Sequence, residues 1–293
     1  MLDAKQSEQT WAVILHGGCK PLKTSEVEPN REGLQDALAE AVAVLSSGGS
    51  ALDAVEAAVR AMEDDPTFNA GRGSKTNAEG EVECDASIMD GETLELGAVC
   101  VLKDTLHPVS VARALMPETE TLLAGEGAYR FAQRRGLAQP GIGKTLAAAG
   151  EGTTTVGCVA MDQQGRLAAA TSTGGTGGSK PGRVGDSPLP GLGVYANKAG
   201  AISATGQGES IARAMLGARC VIAMENGMSP QEGVDHALTF LGGLPPHSGM
   251  IALDAQGRIG WAFTGDQMTV AMATSEAPDL RIEIAGLENA EDA

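Results

Sequence analysis

The chain has 293 residues, enough for one large domain with an ample core. Apolar residues make up 42% and charged residues 20%, which excludes a disordered chain. The net charge of -17 argues against nucleic-acid or anionic-membrane partners, because phosphate surfaces would repel it. Aromatics are only 3% and Gly numbers 40, so the core must be built of Ala, Val, Leu, Ile and Met. The five cysteines (Cys19, Cys84, Cys100, Cys158, Cys220) are widely spaced, odd in number and lack a C-x-x-C. They predict no disulfide framework and a reducing, cytoplasmic compartment. The polar start MLDAKQSEQT has no signal-peptide pattern, and no run of about 18 apolar residues would span a membrane.

In chain order, WAVILH (11–16) reads as a buried strand closed by Gly17-Gly18. Helical spacing covers 31–47 and 51–63, with Ser50 as N-cap of the second and Asp53 completing a capping box. Residues 64–80 form a turn-rich loop in which Asp64-Asp65 is a solvated turn. VECDASIMDG and LELGAVCVL predict two strands paired through Asp90-Gly91-Glu92. Helices follow at 108–116, entered at His107-Pro108, and at 119–135. Residues 136–154 are small and poorly patterned and read as a flexible linker. TVGCVAMD and LAAATST are strands joined by Gln163-Gln164-Gly165. GVYAN pairs with GAISAT. Helices at about 208–225 and 230–242 precede a last hairpin, MIALD with IGWAFT. Strands that come in hairpins argue for antiparallel sheets layered with helices. The predicted class is α+β, a four-layer αββα sandwich.

The stretch GTTTVG (152–157) raises the question of chemistry. Thr suits strands, so a plain strand start explains it at no cost. Pairing Asp162 with Arg166 across the three-residue turn sets Thr155 opposite Thr173 on one face. Two facing hydroxyls are either a cross-strand pair or a nucleophile and its helper. Arg183 and Asp186 lie three apart in a Gly- and Pro-rich loop. A guanidinium fork suits a carboxylate and a nearby carboxylate suits an ammonium, although a surface ion pair is the simpler reading. ISATGQGES (202–210) runs a strand into a helix, where free N–H groups can hold an oxyanion. His16, His107, His236 and His247 have no metal-ligand spacing and read as structural.

Together these blocks resemble the plant-type L-asparaginase and isoaspartyl peptidase family of N-terminal-nucleophile hydrolases. The resemblance runs through WAVILHGG, DDPTFNAGRGS, ECDASIMDG with LELGAVCVL, TVGCVAMD with GRLAAATSTGG, KPGRVGDSPLPGLGVYAN and SATGQGE. It spans roughly residues 11 to 265. It implies a single N-terminal-nucleophile domain over 1–293, cut by itself between Thr154 and Thr155. The α subunit would be 1–154 and the β subunit 155–293, assembled as (αβ)₂. By the same resemblance Thr155 is the nucleophile and Thr173 bonds its hydroxyl. Arg183 clamps the substrate α-carboxylate and Asp186 its α-ammonium. Thr205 (hydroxyl) and Gly206 (N–H) form the oxyanion hole, and Asn69 supports processing. The loop from Met62 to Arg72 resembles a sodium-binding loop, with the backbone carbonyls of Met62, Glu63, Asp65, Phe68, Ala70 and Arg72 as ligands. No organic cofactor is implied. The substrates implied are L-asparagine and β-aspartyl dipeptides. A freed Thr155 amine, with a reference pKa of about 7.7–8.0, would serve as general base.

The chain departs from the family pattern at Cys19-Lys20 after HGG, at Thr154 before the nucleophile and at LPPHSGM (244–250). These departures bear on processing rate and leaving-group preference. A glycosylasparaginase-like hydrolase, or an uncleaved amino-acid-binding homologue, shares the same residues. GIGKT (141–145) resembles the end of a phosphate-binding loop, but residue 138 is Ala where its first Gly belongs and no apolar strand precedes it.

Overall fold

The computed structural model describes residues 10–143 and 154–286. The first half holds β1 (Ala12–Gly18), α1 (Thr24–Ser46), α2 (Ala51–Asp64), β2 (Cys84–Asp90), β3 (Leu96–Leu102), α3 (Pro108–Leu115), β4 (Leu122–Ala124) and α4 (Gly125–Arg134). The second half holds β5 (Val156–Met161), β6 (Leu167–Thr173), β7 (Val194–Ala196), β8 (Gly200–Gly206), α5 (Gly208–Ala214), α6 (Leu216–Glu225) and α7 (Pro230–Leu238). It ends with β9 (Ser248–Asp254), β10 (Ile259–Thr264), β11 (Met268–Thr274) and β12 (Arg281–Ala285).

β1 is buried at all seven residues, so both its faces must be covered. Val13 and Leu15 face an apolar layer shared with α1, α2, α3 and α4. Ala12 and Ile14 face a second layer shared with β8, β9 and β10. A third layer lies between β8 and β9 and the helices α6 and α7. Three apolar layers separate four structural ones, which is the predicted αββα sandwich. One sheet has eight strands in the order β12-β11-β1-β5-β6-β2-β3-β4, and the other has four in the order β10-β9-β8-β7. All pairings are antiparallel except β3 with β4.

Several elements differ from the sequence reading. α1 begins at Thr24, ahead of the predicted 31, and carries Pro29 within it. Ser50 caps α2 by accepting from the Asp53 N–H at 3.1 Å. Instead of closing a capping box, the Asp53 carboxylate accepts the Ser50 hydroxyl at 2.6 Å. The turn after β2 is longer than Asp90-Gly91-Glu92, since the Asp90 N–H donates to Glu95 O. The predicted helix at 119–135 opens with β4 before α4. The predicted 208–225 helix is broken at Met215, which has φ 52°. β11 and β12 were not expected at all, yet β11 pairs along the whole of β1. The predicted linker lies mostly outside the described residues. Its first residues are docked, because Leu137 and Ala138 pack against the helix-side core and Gly143 N–H donates to Asp104 Oδ1 at 2.9 Å. Gly141–Gly143 follow α4 rather than an apolar strand, against a phosphate-binding loop.

The two sheets approach closely at Gly157 on β5. A Cβ there would overlap Ser203 Oγ and lie 2.6 Å from His16 Nε2. Gly157→Ala is therefore expected to lower stability by about 1–3 kcal/mol, the usual cost of overpacking. Thermal denaturation checks it, and an unchanged Tm would contradict so tight a contact.

Candidate active site

The site begins with a turn. Asp162 N–H donates to Arg166 O at 3.0 Å and Gly165 N–H to Asp162 O at 2.8 Å. Gly165 takes φ 74°, the left-handed conformation this turn requires. The register follows: Met161 faces Leu167 and Val156 faces Ser172. One step further, Thr155 Oγ1 donates to Thr173 Oγ1 at 3.0 Å. Thr173 Oγ1 also accepts the Gly175 N–H at 3.2 Å, which fixes its position. Val159, Met161, Leu167 and Ala169 face the second sheet, so by strand alternation Thr155 and Thr173 do too.

Under the pair lies a buried polar floor. His16 Nε2 is 2.9 Å from Ser203 Oγ, and Ser203 Oγ is 2.8 Å from Thr171 Oγ1. Thr171 also donates to Gly193 O at 3.2 Å. Burial pushes the His16 imidazole down to about 3, so it is neutral at physiological pH. Thr205 Oγ1 reaches the Thr155 carbonyl at 3.4 Å from the end of β8. Gly206 follows with φ 130°, lying so close to His247 O that a Cβ would overlap it.

On the N-terminal side, Thr154 Oγ1 donates to Gly17 O at 2.7 Å. The Thr154 carbonyl accepts the Asn69 N–H at 3.1 Å. Asn69 is itself held through both side-chain atoms: Nδ2 donates to Gly175 O at 2.7 Å and Oδ1 accepts the Lys75 N–H at 2.8 Å. The carbonyl joining Thr154 to Thr155 thus already carries a backbone donor.

The loop after β6 brings in Arg183 and Asp186. Arg183 Nε and Nη2 each donate to Glu209 at 2.9 Å, a bidentate pair that holds the guanidinium in place. Arg183 is predicted beside Asp186, whereas its ion-pair partner Glu209, the last residue of SATGQGE, carries no predicted role. Asp186 is buried, and burial pushes its carboxyl up to about 7. Its Oδ2 has no hydrogen-bond partner among the described residues. Asp85 steadies the loop from β2, accepting N–H groups from Val101 at 2.9 Å and Gly185 at 3.4 Å.

Asn69, Thr154, Thr155, Thr173, Arg183, Asp186 and Gly206 line one cavity of about 350 Å³. That is near the lower end of small-molecule sites, roughly 300–1,000 Å³. Lys20, Lys75 and His247 line it as well; Lys20 and His247 stood out in the sequence only within departures from the family pattern, and Lys75 not at all. His247 is therefore not merely a fold residue as read. His16 and His107 are structural as predicted: His107 enters α3 and sits 3.5 Å from both the Glu63 and Asp64 carboxylates. Of the predicted solvated pair, Asp64 is exposed, but Asp65 is half-buried and accepts the Thr67 N–H at 2.8 Å. The predicted sodium loop runs from the end of α2 to a short 3-10 turn at Gly71–Gly73. Among the described residues no group of three His, Cys, Asp or Glu side chains is placed to hold a metal.

A family model described as asparaginase matches residues 9–142 and 139–281, nearly the whole chain. The chain belongs to the asparaginase family. Among its relatives, the isoaspartyl peptidase/L-asparaginase of Danio rerio is 39% identical over 287 residues, covering 89% of this chain and 91% of the relative. Proteins of the same name from Mus musculus and Homo sapiens are each 41% identical over 251 residues. Those alignments cover 78% of this chain, with 77% of the mouse and 82% of the human protein. The asparaginase-family match spans both halves of the sandwich and so includes every residue placed around the cavity. No helix among the described residues is long and apolar enough to cross a membrane.

Proposed function

We propose that this protein is a threonine hydrolase that frees its own nucleophile. It hydrolyses the side-chain amide of L-asparagine and the β-aspartyl bond of isoaspartyl dipeptides, releasing L-aspartate. The reading rests chiefly on the 3.0 Å Thr155–Thr173 hydroxyl pair, set in one cavity with Arg183 and Asp186.

In processing, Thr155 Oγ attacks the Thr154 carbonyl carbon, with the Asn69 N–H on the developing oxyanion. The C–N bond breaks, an ester to Thr155 Oγ forms, and the nitrogen takes the proton. Water then cleaves the ester and leaves a free Thr155 amine. In turnover that amine takes the Thr155 hydroxyl proton while Oγ attacks the substrate's side-chain carbonyl. The proton passes to the departing ammonia or amine, and water hydrolyses the β-aspartyl ester. Thr205 and Gly206 donate to the oxyanion, Arg183 takes the α-carboxylate and Asp186 the α-ammonium.

The loop carrying Asn69 would hold a sodium ion through the carbonyls of Met62, Glu63, Asp65, Phe68, Ala70 and Arg72. The loop backbone packs closely on itself, since a Cβ at Gly71 would overlap Glu63 O and one at Gly73 would overlap Phe68 O. The ion would supply a fixed charge that braces the loop. Five buried free cysteines favour a cytoplasmic location, and the family resemblance favours (αβ)₂ assembly.

The test is aspartate release from L-asparagine and from β-aspartyl dipeptides by the purified protein. Release from either is expected, and its absence from fully cut protein would remove the reading.

A further inference from the structure

The chain carries 38 acidic side chains against 21 basic ones, yet its cavity runs the other way. Lys20, Lys75 and Arg183 line it with a single carboxylate, Asp186. Arg183 has a role and a partner, Glu209. The two lysines have no role in the chemistry described above.

Their place in the cavity is defined by the backbone. Lys20 is two residues beyond Gly18, whose missing Cβ makes room for the Thr154 side chain. Lys75 donates its N–H to Asn69, which in turn holds the Thr154 carbonyl. Its aliphatic stem lies over Gly177, where a Cβ would be 3.3 Å from Lys75 Cδ. Both lysines thus enter the cavity from segments tied to Thr154, with the Lys75 stem also lying against the loop after β6. Arg183 and Asp186 reach in from the loop after β6.

We propose that Lys20 and Lys75 form a carboxylate-reading subsite for the residue that leaves, so that dipeptides with a free C-terminal carboxylate are preferred over their C-terminal amides. This rests on the hydrolase reading above. A β-aspartyl dipeptide has three charges to satisfy: an α-carboxylate, an α-ammonium and a second carboxylate beyond the scissile bond. Arg183 and Asp186 suit the first two, and the lysines suit the third. L-Asparagine carries nothing there, because its leaving group is ammonia.

The electrostatics agree with this placement. Burial and the neighbouring Lys20 charge hold the Lys75 ammonium below its ordinary value. Two ammonium groups in one half-buried cavity repel, and a bound carboxylate relieves that repulsion.

The experiment compares kcat/KM for β-Asp-Ala with kcat/KM for β-Asp-Ala amide, in one preparation of processed enzyme. The ratio cancels differences in folding, processing and active fraction. Wild type is expected to favour the free acid about tenfold, the size of one charge-assisted contact. Lys20→Met and Lys75→Met should each bring the ratio toward one, and Lys20→Arg should keep most of it. The wild-type preference should shrink as salt rises. A wild-type ratio near one, or a ratio unmoved in both Met variants, overturns the subsite but leaves the hydrolase reading intact. No turnover of either dipeptide or of L-asparagine by cut enzyme overturns both.

Discussion

Thr155→Ala is expected to abolish turnover, lowering kcat about 10⁴-fold or more, the scale seen when a covalent nucleophile is removed. The same variant should stay a single chain, because the group that cuts and the group that turns over are one. Stability should barely change, since Thr155 is only half-buried and its hydroxyl makes one hydrogen bond, to Thr173. Thr155→Ser keeps an oxygen nucleophile and should retain partial activity. Thr154→Ala is the informative control. It removes the bond to Gly17 O but leaves the carbonyl and its Asn69 donor, so cutting should slow while the cut enzyme keeps its rate. Equal activity in Thr155→Ala and wild type would remove Thr155 from the chemistry.

Asp186→Asn should be the next most damaging change, costing about 30- to 5,000-fold in kcat/KM, as when one partner of a buried charge pair is lost. Asp186 is buried with an unpartnered Oδ2, and its carboxyl titrates at about 7. Only the ionised form suits a substrate ammonium. KM should therefore fall as pH rises through about 7, and the variant should lose that dependence. The stability effect has the opposite sign. A carboxyl whose folded pKa is raised above its unfolded value contributes stability that is full below about pH 4. That contribution is lost as pH rises toward 7. Asp186→Asn should thus melt higher than wild type at pH 8 while working far worse. Steady-state kinetics and thermal denaturation across pH 5 to 9 check both halves. A variant that binds normally, or that melts lower at pH 8, contradicts the assigned role of Asp186. The combination would mark a trade of stability for binding, common at functional sites.

The reach of the sequence is clearest at the β5–β6 hairpin. Asp162 and Gly165 define a turn by local chemistry alone, and a period of two carries its register to Thr155 and Thr173. WAVILH was legible for a similar reason, since a run buried on both faces needs no partner to be recognised. β11 was not legible. MTVAMAT is as long as β1 but mixes Met, Thr, Val and Ala without strict alternation, and its partner β1 lies more than 250 positions away, so only tertiary pairing identifies it. α1 was placed too late because Pro29 and the polar turn around it masked a helix that already begins at Thr24. In the linker, Leu137 and Ala138 were too sparse to signal docking before the core was known.

The same division runs through the site. The place of Thr155 opposite Thr173 followed from a local pattern, while its role as nucleophile came from the family resemblance. Residues that act by long-range pairing were not visible early. Glu209 lies 26 positions from Arg183 and reads as an ordinary first-turn acid of α5. Lys20 stood out only as part of the Cys19-Lys20 departure and Lys75 as a loop lysine, until one cavity holds them both. His247 sits with φ 74° in a stretch that looked only like a departure from pattern.

The most direct test of the central claim is the intact mass of purified wild type under denaturing conditions, beside Thr155→Ala. The account predicts two wild-type polypeptides, ending at Thr154 and beginning at Thr155, and one uncut variant chain. A wild type that hydrolyses its substrate while remaining a single chain would contradict it, because the Thr155 amine would then never be free to act as base.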